Sequence, residues 1–359
     1  MTYDKNYTVV LIVPTGIGAS IGGYAGDALP VARAIAHTCD RLITHPNVLN
    51  GAQLYWSFPN AFYVEGYGLD KFACSEWGLQ SVHQNRIGLI LDRGIEPELR
   101  LRHLQVADAA RATLGLNLTD YIITDAPLAV ELRTAASGAS WGTIGNPASL
   151  LRAAETLIHQ ARADAIAIVS RFPDDPDSLS LQNYRYGSGV DPLAGAEAVI
   201  SHLVVRQFQI PAAHAPALSP LPLDANLSPR AAAEELGYTF LPCVLVGLSR
   251  APQFVTKASF PSGQAIWAEE VDAVIVPATA CGGSAVLSLS NKKAAIIAVE
   301  ENHTQMQVSP EPIGIKAIKV NSYLEALGVL VAHRAGIDPK SLRSHLSSLH
   351  CLSQTRDRS

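Results

Sequence analysis

Asp272–His303 reads DAVIVPATACGGSAVLSLSNKKAAIIAVEENH, and the order of residue types in it decides the fold. The first apolar run is too short for a helix, is rich in Val and Ile, and is closed by Pro277. It reads as a strand buried on both faces. A Gly loop carrying Cys281 follows, then a short helix, a second buried strand, and a polar end made of Glu300, Glu301, Asn302 and His303. Strand, loop, helix and strand in that order form one unit of a parallel α/β sheet.

The N-terminus echoes this unit. From Val9 the chain reads VVLIVPTGIGASIGGYAGDALPVARAIAHTCDRLITHPN. An apolar run again ends in Val-Pro, and Thr15, a Gly-rich loop, a helix and a second β-branched run follow. A Gly loop after a strand lets backbone N–H groups approach a ligand, and the next helix N-terminus adds unpaired N–H groups and partial positive charge. Two such corners predict two related halves that face one cleft, with Gly18 and Gly282 near each other.

Between the corners the α/β alternation continues. Strands are expected at Arg86–Leu91, Tyr121–Thr124, Asp164–Val169, Tyr238–Leu248 and Ile315–Val320. Helices are expected at Glu96–Leu114, Pro147–Ala163 (capped by Asn146), from Asp191 to Arg206, at Arg230–Gly237 and at Asn321–Ala335. Asn50–Gln84 is irregular and holds Tyr55, Trp56, Phe58, Phe62, Tyr63, Tyr67, Phe72 and Trp77. It is either a cover or subunit contact, or a small satellite core. Ala215–Pro229 reads as a rigid connector, and Tyr184–Pro192 as a lid or a domain connection. The fold class is therefore α/β, with mostly parallel sheets, helices on both faces and two lobes, pseudo-symmetric in plan. The lobes are placed at 1–190 and 191–342, with a flexible tail at 343–359.

Composition narrows the function classes. The chain has 359 residues, 48% hydrophobic and 16% charged, which is enough for a large core and no sign of disorder. Net charge is −5 with no basic stripe, so nucleic acid is not an expected partner. Gly, Pro and Asp27 interrupt the N-terminal apolar stretch, so no membrane partner is expected. The cysteines Cys39, Cys74, Cys243, Cys281 and Cys351 show no C-x-x-C. They point to a reducing, cytoplasmic compartment and away from a disulfide framework or zinc site. His202 and His214 lack metal-ligand spacing and an obvious carboxylate partner, so no metal ligands are assigned.

In open parallel sheets ligands bind beyond the carboxyl ends of the strands, where strand order reverses. Polar residues fall at most such ends here. Thr15, Gly16, Gly18, His45, Asp125, Thr279, Gly282, Gly283, Ser284 and Asn302 are the expected ligand-binding residues. Cys281 before Gly-Gly at a helix N-terminus has a setting that favours thiolate, and a buried inert cysteine is the plain alternative. With Glu301 and His303 as acid/base partners, Cys281 is the expected catalytic residue of an isomerase, lyase or hydrolase. Gly16-x-Gly18-x-x-x-Gly22 is one residue longer than a dinucleotide fingerprint, and no acidic residue follows at His45-Pro46. The cofactor is left unknown.

The runs VPTGIGASIGGYAGDALPVARA, THPNVLNGA, SGVDPLAGAEAVISH, VPATACGGSAV and VNSYLEALGVLVAHRAGI together resemble an uncharacterised family of cyanobacteria and plastid-bearing organisms. The resemblance spans nearly the whole chain and implies a cytosolic or stromal location. A more distant analogy is to the aspartate/glutamate racemase superfamily, with two pseudo-symmetric halves and a cysteine on each side of the substrate. Cys281 matches one of them. The N-terminal loop offers Thr15 and no cysteine, so the analogy implies at most a one-sided reaction. The expected function is thus a soluble, homo-oligomeric enzyme acting on a small anionic metabolite, or else a non-catalytic metabolite sensor or scaffold.

Overall fold

Val9, Val10 and Leu11 are fully buried because their strand, β1 (Thr8–Leu11), has a parallel neighbour on each side. The computed structural model describes residues 5–51, 54, 56–175, 177–236, 240–259 and 265–349. Tyr55, Gly237, Tyr238, Cys351 and the end of the tail lie outside the described residues.

After β1 come α1 (Leu29–Ala36), β2 (Arg41–Thr44), α2 (Pro46–Leu49), β3 (Ala61–Tyr63), α3 (Gly66–Ala73) and β4 (Gly78–Gln80). The middle of the chain forms β5 (Ile87–Leu91), α4 (Pro97–Leu114), β6 (Leu118–Ile123), β7 (Val130–Thr134), β8 (Ser140–Ile144), α5 (Pro147–His159) and β9 (Ala165–Arg171). Then follow α6 (Leu179–Arg185), α7 (Ala194–Phe208), β10 (Ala212–Ala217), α8 (Pro229–Glu235), α9 (Leu241–Ser249) and β11 (Gln253–Val255). The last stretch is β12 (Val271–Pro277), α10 (Ser284–Ser290), β13 (Ala295–Val299), β14 (Ala317–Val320) and α11 (Tyr323–Arg334).

Two parallel sheets organise these elements. The larger runs β14-β13-β12-β1-β2-β3 and the smaller β10-β9-β5-β6. In each, the chain winds outward in both directions from a central pair, so strand order reverses there: β1 beside β12 in one, β5 beside β9 in the other. The first and penultimate corners therefore lie side by side, with Val9 opposite Ala273 and Leu11 opposite Ile275. Residues alternate between the faces. Val9 and Leu11 pack with α1, α11, α4 and α9 in one core, and Val10 and Ile12 with α3, α5, α7 and α10 in the other. The α/β architecture with mainly parallel sheets and helices on both faces is as the sequence implies. A cut at residue 190 does not separate the sheets, because β1–β3 share one with β12–β14.

Several local expectations change. Leu241–Ser249 is a buried helix, not the strand read at Tyr238–Leu248. A continuous apolar run carries no period, and Pro242 suits a first helical turn better than a central strand. AAHAPA forms β10, where small residues gave no strand signal. The β7–β8 hairpin went unread. Asn146 makes no cap bond to α5, and its amide donates to the Pro127 carbonyl. In the aromatic excursion Phe58, Tyr63, Phe72 and Trp77 are buried and Trp56 is exposed.

Candidate functional site

Past the carboxyl end of β1 the chain cannot continue as strand, and a run of glycines turns it. Gly18 has φ +61°, and a Cβ there would stand 3.0 Å from Val190 and 3.1 Å from the Gly189 carbonyl. Gly22 has φ +90°, and its Cβ would collide with Val13 at 2.5 Å. Only glycine allows this folded loop. The loop forms one wall of a cleft of about 530 Å³ at the β1/β12 switch point. The other walls are Gly187–Gly189 before α7, Ser228–Arg230 at the start of α8, and His303–Gln305 after β13.

The lining is polar. Ser20, Ser188, Ser228, Tyr24, Thr304 and Gln305 face it with Arg230 and His303. Arg230 Nη1 donates to the Ser20 carbonyl at 2.7 Å and to Asp27 Oδ2 at 2.6 Å. Its Nε and Nη2 edge has no acceptor among the described residues. The same holds for the backbone N–H groups of Gly18, Ala19 and Gly189. Asp27 also accepts from the Gly22 N–H. Burial raises its carboxyl above the ordinary range, and the Arg230 contact offsets part of that rise.

Behind the cleft lies a group of carboxyls. Tyr24 stacks on Tyr184 with centroids 4.3 Å apart, and Tyr184 OH donates to Glu234 Oε2 at 2.7 Å. Burial, and then the nearby Asp191 charge, push the Glu234 carboxyl up to about 8. Burial likewise lifts Asp191 to about 6, although the Leu193 and Ala194 N–H groups hold it back. Glu197 rises well above its ordinary value through burial and Asp191. Burial thus favours the neutral form of each of these acids.

The family described as protein of unknown function DUF3326 matches residues 8–343. The chain belongs to this family. A similar protein, the uncharacterized lipoprotein syc1174_c of Synechococcus sp., is 61% identical over 338 residues, which cover 94% of each chain. No solved structure matches the chain.

In this DUF3326 protein the expected site residues scatter. Gly18 and His303 reach the cleft. Thr279 braces it, its hydroxyl 2.8 Å from that of Thr304. Asn302 is fully buried. Its amide pairs with both backbone groups of Ile21 and donates to Tyr323 OH, so it clamps the Gly loop and has little capacity left for a ligand. Gly16 is buried against Ser140 and Ala194, and Thr15 beside it is half-buried. His45 Nε2 accepts the Val13 N–H at 3.0 Å. Burial lowers the imidazole to about 4, which keeps it neutral and structural. Asp125 lies at the end of β6 in the other sheet, bound by both nitrogens of the Arg152 fork and by Ser149.

The Cys281 corner is sealed. Residues 304–308 fold back over it, with Cys281 N–H donating to the Val308 carbonyl and Val308 N–H to the Thr279 carbonyl. The Cys281 thiol is fully buried and burial pushes it up to about 11, the reverse of what a thiolate needs. Gly282 is exposed, although a Cβ there would stand 2.9 Å from Val308. Gly283 and Ser284 are exposed, and the Asp70 carboxylate already accepts the Ala285 N–H at the start of α10. Glu301 accepts the Tyr323 N–H and so serves the α11 N-terminus. His202 and His214 do have carboxylate partners, Glu65 at 2.8 Å and Glu197 at 3.7 Å.

The residue that the sequence reading missed is Arg230. The only signal was an arginine directly after Ser-Pro at a helix start, following a run read as a connector. Nothing local linked it to the Gly loop 200 residues earlier.

Proposed function

We propose that this protein binds a small anionic metabolite in the β1/β12 cleft. The free Nε/Nη2 edge of Arg230 and the N–H groups of Gly18, Ala19 and Gly189 receive the anion. His303 is the side chain that moves any proton. The observation that carries this reading is the open edge of Arg230 in a polar cleft. A guanidinium fork presents paired donors that match a carboxylate or phosphate. In place of Cys281 and Glu301, both committed elsewhere, His303 takes the acid/base role. That commitment also favours a second reading, in which the cleft senses its ligand without turnover.

A thermal-shift panel of dicarboxylates, tricarboxylates and phosphorylated metabolites tests the proposal. A ligand present at about 100 times its Kd stabilises by roughly 2.7 kcal/mol, an easily read shift. Arg230→Ala is expected to lose the shift. Equal stabilisation of the variant overturns the assignment. Conversion of the stabilising compound by wild type separates enzyme from sensor.

For location, no helix among the described residues is long and apolar enough to cross a membrane. We place the chain in a reducing compartment, since Cys39 and Cys281 are buried thiols outside any disulfide. Membrane fractionation tests this against the lipid anchor that the relative's name carries for that protein.

A further inference from the structure

We propose that two copies of this chain associate through α11, packed antiparallel about a two-fold axis at Gly328. The inner side of α11 is accounted for, with Ala326, Val329 and Leu330 buried on the large sheet. The outer side should then be polar. Instead Leu324, Gly328, Val331 and Ala335 are all exposed, spaced four, three and four residues apart in one seam. Leu324 is 81% exposed and Val331 56%.

Among the described residues nothing packs against the open side of Gly328. A Cβ added there meets nothing within 4 Å, and a glycine inside a helix costs about 1 kcal/mol relative to alanine. At the crossing point of two helices the missing side chain allows close approach of the axes.

The occupant follows from charge. Exposed Glu300, Glu301 and Glu325 gather at the N-terminal end of α11. Arg334, Lys340 and Arg343 lie at and beyond the C-terminal end and outnumber exposed Asp338 there, although Arg334 shares its charge with Asp40. An antiparallel second copy sets each acidic end against a basic end and opposes the helix dipoles. Its seam then matches itself, Gly328 over Gly328 and Leu324 within about one residue of Val331, as a two-fold contact requires. Exposed Ile337, Leu342 and Leu346 extend the apolar surface beyond the helix.

Light scattering after size exclusion, at tens of micromolar full-length protein, is expected to give twice the chain mass. Leu324→Asp and Val331→Asp, each checked for fold by circular dichroism, are expected to weaken association roughly 100-fold. Gly328→Cys is expected to form an interchain disulfide above the background of exposed Cys74. A monomeric wild type, including one whose own tail covers α11, overturns the proposal. So does a dimer that survives both Asp variants.

Discussion

The two switch points are built on the same winding, yet their polar groups differ. At β5/β9, Asp92 is buried and accepts three backbone N–H groups, from Gly94 and Leu128 at 2.9 Å and from Arg171 at 3.0 Å. The Arg171 guanidinium is held by Glu96 at 2.9 Å and Asp174 at 2.5 Å, and also donates to the Phe172 carbonyl. The hollow there, about 320 Å³, offers a ligand no free edge of that guanidinium. At β1/β12, Arg230 spends one nitrogen on its own chain and leaves the rest without an acceptor among the described residues. Topology supplies a crevice in both places. Unspent hydrogen-bonding capacity distinguishes β1/β12, and the proposed binding there rests on it.

Breaking the closed switch point is expected to have the largest effect. Asp92→Ala leaves three N–H groups without their acceptor, each worth about 1–3 kcal/mol when buried. A loss of about 3 kcal/mol or more in urea unfolding is expected. Asp27→Ala strips the Gly22 and Tyr24 N–H groups and Arg230 at the wall of an open cleft, where water can replace the carboxylate, and is expected to cost less, about 1–2 kcal/mol, while weakening ligand binding. If the two losses are equal, the contrast between a closed and an open switch point fails.

The next effect concerns the acids behind the open cleft. Glu234 sits near 8 in the fold against an ordinary 4.5. Between those values the folded chain keeps a proton that the unfolded chain has released, so stability is lost as pH rises through that window. His45, lowered from 6.5 to about 4, and His214, lowered to about 3, act in the opposite sense. Their contribution is lost as pH falls below 6.5 through those values. Glu234→Gln keeps the neutral form throughout. It is expected to melt above wild type at pH 8 and level with it near pH 5, by about 2–4 °C for each kcal/mol recovered. Parallel melting curves for the two proteins across that range remove Glu234 from the account.

How much of this was legible in sequence follows from distance along the chain. The runs at Val9–Val13 and Ala273–Val276 announce buried strands by composition alone, and the Gly corners follow them locally. Leu241–Ser249 was misread because a helix buried all round shows no period. Cys281 looked reactive because its neighbours, Gly282 and Gly283, leave it open in sequence. What closes it is a return of residues 304–308, which only the folded chain reveals. Arg230 and Asp27 form an ion pair across 203 residues, and no spacing rule could join them.

The smallest effect on stability is expected at His303, and it sharpens the comparison most. The His303 imidazole is exposed on the cleft wall, and among the described residues only its backbone groups bond, the carbonyl accepting from the Ser20 N–H and hydroxyl and the N–H donating to the Glu301 carbonyl. His303→Ala keeps those bonds, so the ligand-free protein is expected to unfold within about 0.5 kcal/mol of wild type. At the closed switch point the Asp92, Arg171 and Asp174 side chains are all bound within the chain, and substitutions there act on folding first. If His303 serves the cleft, the variant separates the two properties: unchanged melting without ligand, with a diminished shift or lost turnover on the compound that stabilises wild type. An unchanged shift together with unchanged turnover leaves His303 as surface and hands the cleft's chemistry to Arg230 and the Gly loop alone.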